Sequence, residues 1–330
     1  MAVGISLSGL VAAVSNNGGI GVLGSAGLGF MEEDYRKNFF NANLRALKKQ
    51  IDLIRQKTKG LFGVNIMVAL TNYKEIVQTA VDKSVDIIFS GAGLPLDLPQ
   101  FVPEDSKTRL VPIVSSLKAA KVIVRSWTRH YKRLPDAFVL EGPKAGGHLG
   151  FKPQALKREN DDFFSVTVPA IRQFLDGIEE KRIPLIAGGG IWDKADYERV
   201  RTLGADGVQM GTAFVATEEC DVHTRFKEAY INADEDDVMI IKSPVGMPGR
   251  AIRNQFLEDV ENGIKKPFTC PYKCIKTCVF DKAPYCIALA LYNASRGNLE
   301  EGFAFAGSNV SHVDSIITVR DVFNRVFSDG

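Results

Sequence analysis

The stretch Ile186-Ala187-Gly188-Gly189-Gly190-Ile191 closes one apolar run, and Gly207-Val208-Gln209-Met210-Gly211-Thr212 closes the next, about twenty residues later. Each run has the length of a buried strand. Its unbroken apolar character suits a parallel sheet covered on both faces. Glycines at a strand-to-helix turn let backbone N–H groups approach an anion with no Cβ in the way. The N-terminus of the following helix adds its partial positive charge. Two adjacent units of this kind after the last two strands form the usual phosphate site of a (β/α)8 barrel. The alternative is that the glycines only permit tight turns; the pairing of the two motifs favours phosphate binding.

Working outward, similar apolar runs occupy residues 20–23, 62–68, 86–90, 110–115, 137–140, 184–187 and 207–210. Residues 35–57, 73–83, 117–132, 163–180 and 194–203 between them show helical spacing or good helix formers. In one of these, Ile76, Val77, Ala80 and Val81 make a single apolar stripe. Repeated strand–helix units mean α/β architecture with right-handed crossovers. Small or polar residues end nearly every run, which suits a closed barrel with one shared mouth better than an open sheet with one switch point.

The expected fold is therefore a TIM (β/α)8-type barrel over residues 1–215, followed by a helical extension over 216–330. Only seven strands are found, and Met1-Ala2-Val3-Gly4 reads as a loop. The first strand is either missing, upstream of Met1, or replaced by another element. Helices are expected in the extension at residues 221–233, 250–263, 283–296 and 319–327.

Lys and Arg exceed Asp and Glu by 41 to 39, so no electrostatic footprint for nucleic acid or an anionic membrane stands out. The glycine-broken start lacks the basic flank of a signal peptide, and no apolar run is long enough for a membrane span. A cytoplasmic location is the simplest expectation. The partner expected is a small-molecule substrate.

Of the four histidines, His130 and His223 fall in charged helical stretches, whereas His148 follows Ala145-Gly146-Gly147 beyond a strand end. That places His148 at the mouth, where its side chain suits acid–base work near neutral pH. Asn65 ends an apolar strand. An unpaired buried amide is unfavourable, so it should face a ligand or bond a neighbouring strand end. Gly91-Ala92-Gly93 permits close approach of a flat ligand.

Four of the five cysteines, Cys270, Cys274, Cys278 and Cys286, cluster as C-x3-C-x3-C-x7-C. Spacing of four puts the first three on one face if the segment is helical. Such a set could hold an iron–sulfur cluster or zinc, act as regulatory thiols, or stay reduced as structural thiols.

Taken in order, Gly18-Gly19-Ile20-Gly21, Gly63-Val64-Asn65-Ile66-Met67, Ser90-Gly91-Ala92-Gly93, Ala145-Gly146-Gly147-His148-Leu149-Gly150 and the two opening motifs resemble FMN-dependent nitronate monooxygenases and the related flavin enoyl-ACP reductases. The stretch Gly249-Arg250-Ala251-Ile252-Arg253-Asn254 is similar to a further element of that family.

The resemblance implies FMN at the barrel mouth. Gly188, Gly189, Gly190, Gly211 and Thr212 would hold its phosphate, and Asn65, Gly91, Gly146 and Gly147 would lie along it. His148 would face substrate near the reactive flavin nitrogen. NAD(P)H as reductant and a homodimer follow only from the resemblance. Two departures stand out. The chain starts inside the family's first flavin-contacting turn, and Ser115-Ser116 replaces a lysine that some members place near the flavin. Three activities compete: nitronate oxidation with oxygen, NAD(P)H-dependent reduction of enoyl thioesters, and a non-redox phosphate-binding barrel.

Overall fold

Among the described residues ten short strands form, and they divide by location rather than by length. In chain order they are β1 (Gly21–Gly24), β2 (Phe62–Met67), β3 (Ile87–Gly91), β4 (Arg109–Val114), β5 (Phe138–Glu141), β6 (Gly147–His148), β7 (Leu185–Gly188), β8 (Gly207–Gln209), β9 (Val238–Lys242) and β10 (Pro248–Ile252). The computed structural model describes residues 1–156, 163–266, 268–270 and 272–328. Seven strands make one sheet in the order β1-β2-β3-β4-β5-β7-β8, every pair parallel. The other three make an antiparallel sheet in the order β6-β10-β9.

Helices alternate with the strands of the large sheet. They are α1 (Ser8–Asn16), α2 (Tyr35–Lys57), α3 (Tyr73–Asp82), α4 (Leu117–Tyr131), α5 (Pro153–Leu156), α6 (Phe163–Asp176), α7 (Lys194–Thr202) and α8 (Thr212–Val215). Beyond them lie α9 (Thr224–Ile231), α10 (Gln255–Glu261), α11 (Ile287–Ser295) and α12 (Val319–Phe327). The apolar stripe of α3 is fully buried at Ile76, Val77 and Ala80. Helix α4 starts where the Ser116 side chain accepts the Ala119 N–H at 3.2 Å, and it buries Ala120, Ile123 and Trp127. These side chains pack with Val64, Ile66, Ile88, Leu110 and Leu140 of the sheet. Each large aliphatic side chain buried there contributes about 1.5–3 kcal/mol. The seven expected strands are all present, each shifted by no more than a residue or two.

Strands β1 and β8 stand at the two ends of the sheet. The N-terminal loop lies against that opening at the mouth. Val3 N–H donates to Ala26 at 2.9 Å, Gly24 N–H donates to Ser6 at 3.3 Å, and the Met1 side chain comes within 3.8 Å of the Cβ position of Gly211.

Helix α1 was not expected. Its first turn has no local cap; the Asp221 carboxylate accepts from Gly9 N–H at 3.2 Å and Leu10 N–H at 3.1 Å. Gln50 accepts from Ser8 N–H at 3.0 Å. The extension also differs from expectation. Residues 250–252, expected to open a helix, belong to β10, and the helix starts only at Gln255. The extension is thus helical with a small sheet added, and that sheet recruits β6 from the segment beyond β5.

Candidate functional site

The strand ends converge on a cavity of about 1230 Å³ that opens at the mouth and continues into the curl of the sheet. Asn65, Gly91, Gly146, Gly147 and His148 line it, as do Gly188, Gly189, Gly190, Gly211 and Thr212. All the expected mouth residues therefore face one space. Deeper in, Val22, Ile87, Phe89, Val111, Ile113 and Val208 make its wall apolar.

The glycine cradle is built for backbone approach. Gly189 and Gly190 hold φ of +102° and +75°, a region that L side chains rarely adopt. A Cβ on Gly189 would sit 2.9 Å from the Ala145 nitrogen and 3.0 Å from the Gly142 oxygen. The cradle is locked to the next loop by Gly142 N–H donating to Gly188 at 2.7 Å. On the other side, Thr212 Oγ1 accepts from Gly307 N–H at 2.9 Å, which leaves its own O–H to donate elsewhere.

The helix contribution differs from the expected one. Asp193 caps α7 by accepting Asp196 N–H at 3.0 Å, and Asp196 in turn accepts Trp192 N–H at 2.9 Å. Those carboxylates already satisfy the positive end of α7. Gly211, by contrast, stands directly before α8 with no side chain capping that helix. Glycine backbone, a free hydroxyl and room for a flat molecule fit a phosphate-bearing planar cofactor.

His148 sits on β6, opposite Gly249 of β10. Its Nε2 lies 2.8 Å from the Ser243 hydroxyl, and the Phe305 ring meets it edge-on at 5.0 Å. Tyr230 in turn donates its hydroxyl to the Phe305 carbonyl. The buried Arg250 guanidinium donates to the carbonyls of Pro143 and Ala145, clamping the loop that leads to His148. Burial pushes the His148 imidazole down to about 4, so it is neutral at physiological pH.

Glu141, the last residue of β5, also lines the cavity. It is half-buried with respect to solvent yet enclosed by protein on the cavity wall. Burial raises its carboxyl to about 7.

The cysteine segment is not helical, so helical spacing is not what gathers its thiols. Instead a loop folds over the mouth, with Thr71 N–H donating to Cys274 at 3.0 Å and Lys276 N–H donating to Ala69 at 2.9 Å. All four thiols are free and half-buried, and Cys274 lines the cavity. Burial and the neighbouring thiols push the Cys274 thiol up to about 12 and those of Cys278 and Cys286 upward as well. Among the described residues, no three His, Cys, Asp or Glu side chains are placed to share one metal ion.

Sequence reasoning missed Ser243, Phe305, Tyr230 and Glu141. Ser243 and Phe305 reach His148 only through strand pairing across long sequence separations. Glu141 carried a local signal, as a charged residue at the end of an apolar strand.

Comparison with known proteins gives a consistent picture. The family model described as nitronate monooxygenase matches residues 1–329. A probable nitronate monooxygenase of Staphylococcus aureus (strain Newman) is 31% identical, over 76% of this chain and 73% of the relative. The structure of FabK from Thermotoga maritima superposes with a TM-score of 0.74 at 28% identity, covering 98% of this chain and 88% of that one. A nitroalkane oxidase from Streptomyces ansochromogenes shares the fold, with a TM-score of 0.69 at 20% identity over 98% of this chain and 92% of that one. Among the described residues, no helix is long and apolar enough to cross a membrane.

Proposed function

Because the chain belongs to the nitronate monooxygenase family and is a flavin-dependent oxidoreductase, we propose that it binds FMN in the mouth cavity and oxidises alkyl nitronates with oxygen. The observation that carries this reading is the convergence of the glycine cradle and a neutral His148 on one cavity. FMN, when bound, supplies the two-electron chemistry. Gly188, Gly189, Gly190, Gly211 and Thr212 would take its phosphate, and Asn65, Gly91, Gly146 and Gly147 would line its flat face.

An imidazole held near 4 is a poor base for a carbon acid, so His148 acts by binding. It donates a hydrogen bond to the nitronate, whose charge in turn favours a protonated ring. Ser243 and Phe305 fix the ring plane from two sides. The apolar wall takes the alkyl chain and keeps water from the reacting carbon.

A second reading, NAD(P)H-dependent reduction of an enoyl thioester, is favoured by the likeness to FabK and by a cavity roomy enough for an acyl chain. The non-redox barrel reading gives way to family membership. A cytoplasmic homodimer is the expected setting, to be read from gel filtration and fractionation.

Steady-state assays with nitronate plus oxygen, against NAD(P)H plus an enoyl thioester, separate the two activities. His148→Ala should retain FMN and lose turnover by about 10²–10⁴-fold. Unchanged turnover would remove His148 from the reaction.

A further inference from the structure

We propose that the interior of the curled sheet holds a single unbranched hydrocarbon chain and selects it by length. The cavity runs the full height of the strands. Ile87, Ala137 and Pro184 line it at or just before the starts of β3, β5 and β7, and Gly91, Glu141 and Gly188 line it where the same strands end. Each start lies four residues from its end, about 13 Å at about 3.3 Å per residue. A strand tilt of about 36° shortens that to about 11 Å along the axis of the curl. The volume of about 1230 Å³ also exceeds the roughly 300–1000 Å³ of an ordinary small-molecule site. A cofactor held at the strand ends therefore leaves the lower part of the space unfilled.

Strand register shows which side chains bound this space. Val22 pairs with Gly63 and Gly63 with Ile87, Phe89 pairs with Val111, and Ile113 pairs with Val139 and Val139 with Ile186. Paired residues share a face and successive residues alternate between faces, so these side chains lie on the inner face. The intervening Leu23, Ile88, Leu185 and Ala187 lie on the outer face and are fully buried. Val22, Ile87, Ile113 and Ile186 point inward and yet are only half-buried. Layers of bulky branched side chains ordinarily fill a barrel interior. Here the inner positions Gly91, Gly188 and Gly207 carry no side chain, and a Cβ on Gly207 would meet only the Ile186 Cδ1, at 3.4 Å.

Polarity marks the top of the space, where Glu141, Gly188 and Gln209 share one rung across β5, β7 and β8. Below that rung the inner faces of β3, β4, β5 and β7 present Ile87, Phe89, Val111, Ile113, Val139 and Ile186. Water is a poor occupant there, because it needs about two to four polar partners, whereas apolar cavities take apolar ligands. Filling the space regains the dispersion contacts its lining forgoes. The inside of an eight-strand barrel is only wide enough for side chains, so a straight chain fits and a fused-ring group does not. Each C–C bond of about 1.5 Å advances an extended chain by about 1.25 Å, so about 11 Å takes about nine carbons. The chain is either the tail of the substrate or a separate fatty chain. Only the first of these rests on the nitronate reading above.

The test uses the full chain loaded with FMN. Straight-chain primary alcohols of about four to twelve carbons, neutral and so indifferent to the charge on Glu141, are titrated by calorimetry. Affinity should rise about fourfold per added carbon, the worth of one buried methylene, and level off near about nine carbons. Ala137→Leu and Gly207→Val each push a side chain into the lower part of the space. Each should move the plateau about two carbons shorter and weaken 1-decanol about 15-fold, with FMN content unchanged. Far-UV circular dichroism checks that both variants are folded. Nitronates of straight-chain 1-nitroalkanes are then assayed over the same lengths. If 1-decanol competes with them and kcat/KM climbs with length to the same plateau, the chain is the tail of the substrate. If 1-decanol binds without competing, the chain is a separate one. Affinity that ignores chain length, or variants that bind 1-decanol as the parent does, would overturn the site. A chain that binds 1-decanol but turns over no nitronate keeps the interior site and loses the proposed activity.

Discussion

Replacing Gly189 by alanine puts a methyl group where the structure has two backbone atoms, the Ala145 nitrogen at 2.9 Å and the Gly142 oxygen at 3.0 Å. It also forces an L residue to φ +102°. Holding a side chain in so sparsely populated a region costs about 1–3 kcal/mol, and overpacking costs about 1–3 kcal/mol more. The free protein can relax by moving the loop at residues 142–148 away from the cradle. A protein gripping a phosphate between cradle and loop cannot, so the strain falls on binding. Taking about 2–4 kcal/mol in all, at about 1.4 kcal/mol per tenfold, FMN should bind about 30- to 1000-fold more weakly. The assay is a fluorescence titration of the FMN-free protein, with circular dichroism as the check on folding. Gly177→Ala is the control, because its Cβ would meet nothing closer than 3.5 Å at an exposed helix end. If Gly189→Ala binds FMN within threefold of the parent chain, the cradle does not hold the phosphate.

Three further outcomes follow from the same geometry. Glu141, raised to about 7 by burial, is mostly protonated below that pH and becomes an uncompensated anion above it, so affinity for the FMN phosphate should fall as pH rises from 6 to 8. Glu141→Gln should flatten that dependence in a titration at each pH, and an affinity that is flat or rises with pH in the parent chain would contradict it. Ser243→Ala removes the partner of His148 Nε2 and, at about 0.5–1.5 kcal/mol for one hydrogen bond, should lower turnover about 2- to 15-fold with FMN content unchanged. Asp221→Ala removes the acceptor for two amides at the start of α1 and should cost about 1–2 kcal/mol, read as a lower midpoint in urea unfolding.

What the sequence made legible was whatever its local pattern encodes. The apolar runs marked all seven parallel strands, and the spacing in residues 35–57 matched α2 end to end. The glycine motifs pointed to the mouth because turn chemistry is a property of neighbouring residues. What escaped depends on distant partners. Helix α1 has no cap of its own and leans on Asp221. Strand β10 looked helical in isolation and becomes a strand because β6, β9 and Phe305 pair with it. The dipole of α7 seemed available until the structure showed Asp193 and Asp196 using it. The cysteines were visible as a cluster in the sequence, but the segment that carries them is a loop and not one helix face.

Everything proposed for the mouth cavity depends on FMN binding there and being reduced there by substrate. The most direct test is the visible spectrum of the FMN-loaded protein, recorded without oxygen before and after an alkyl nitronate is added, and again after oxygen is admitted. The account predicts retained FMN, bleaching on nitronate and recovery on oxygen. A chain that fails to retain FMN under titration, or a bound flavin that neither nitronate nor NAD(P)H bleaches, would contradict it.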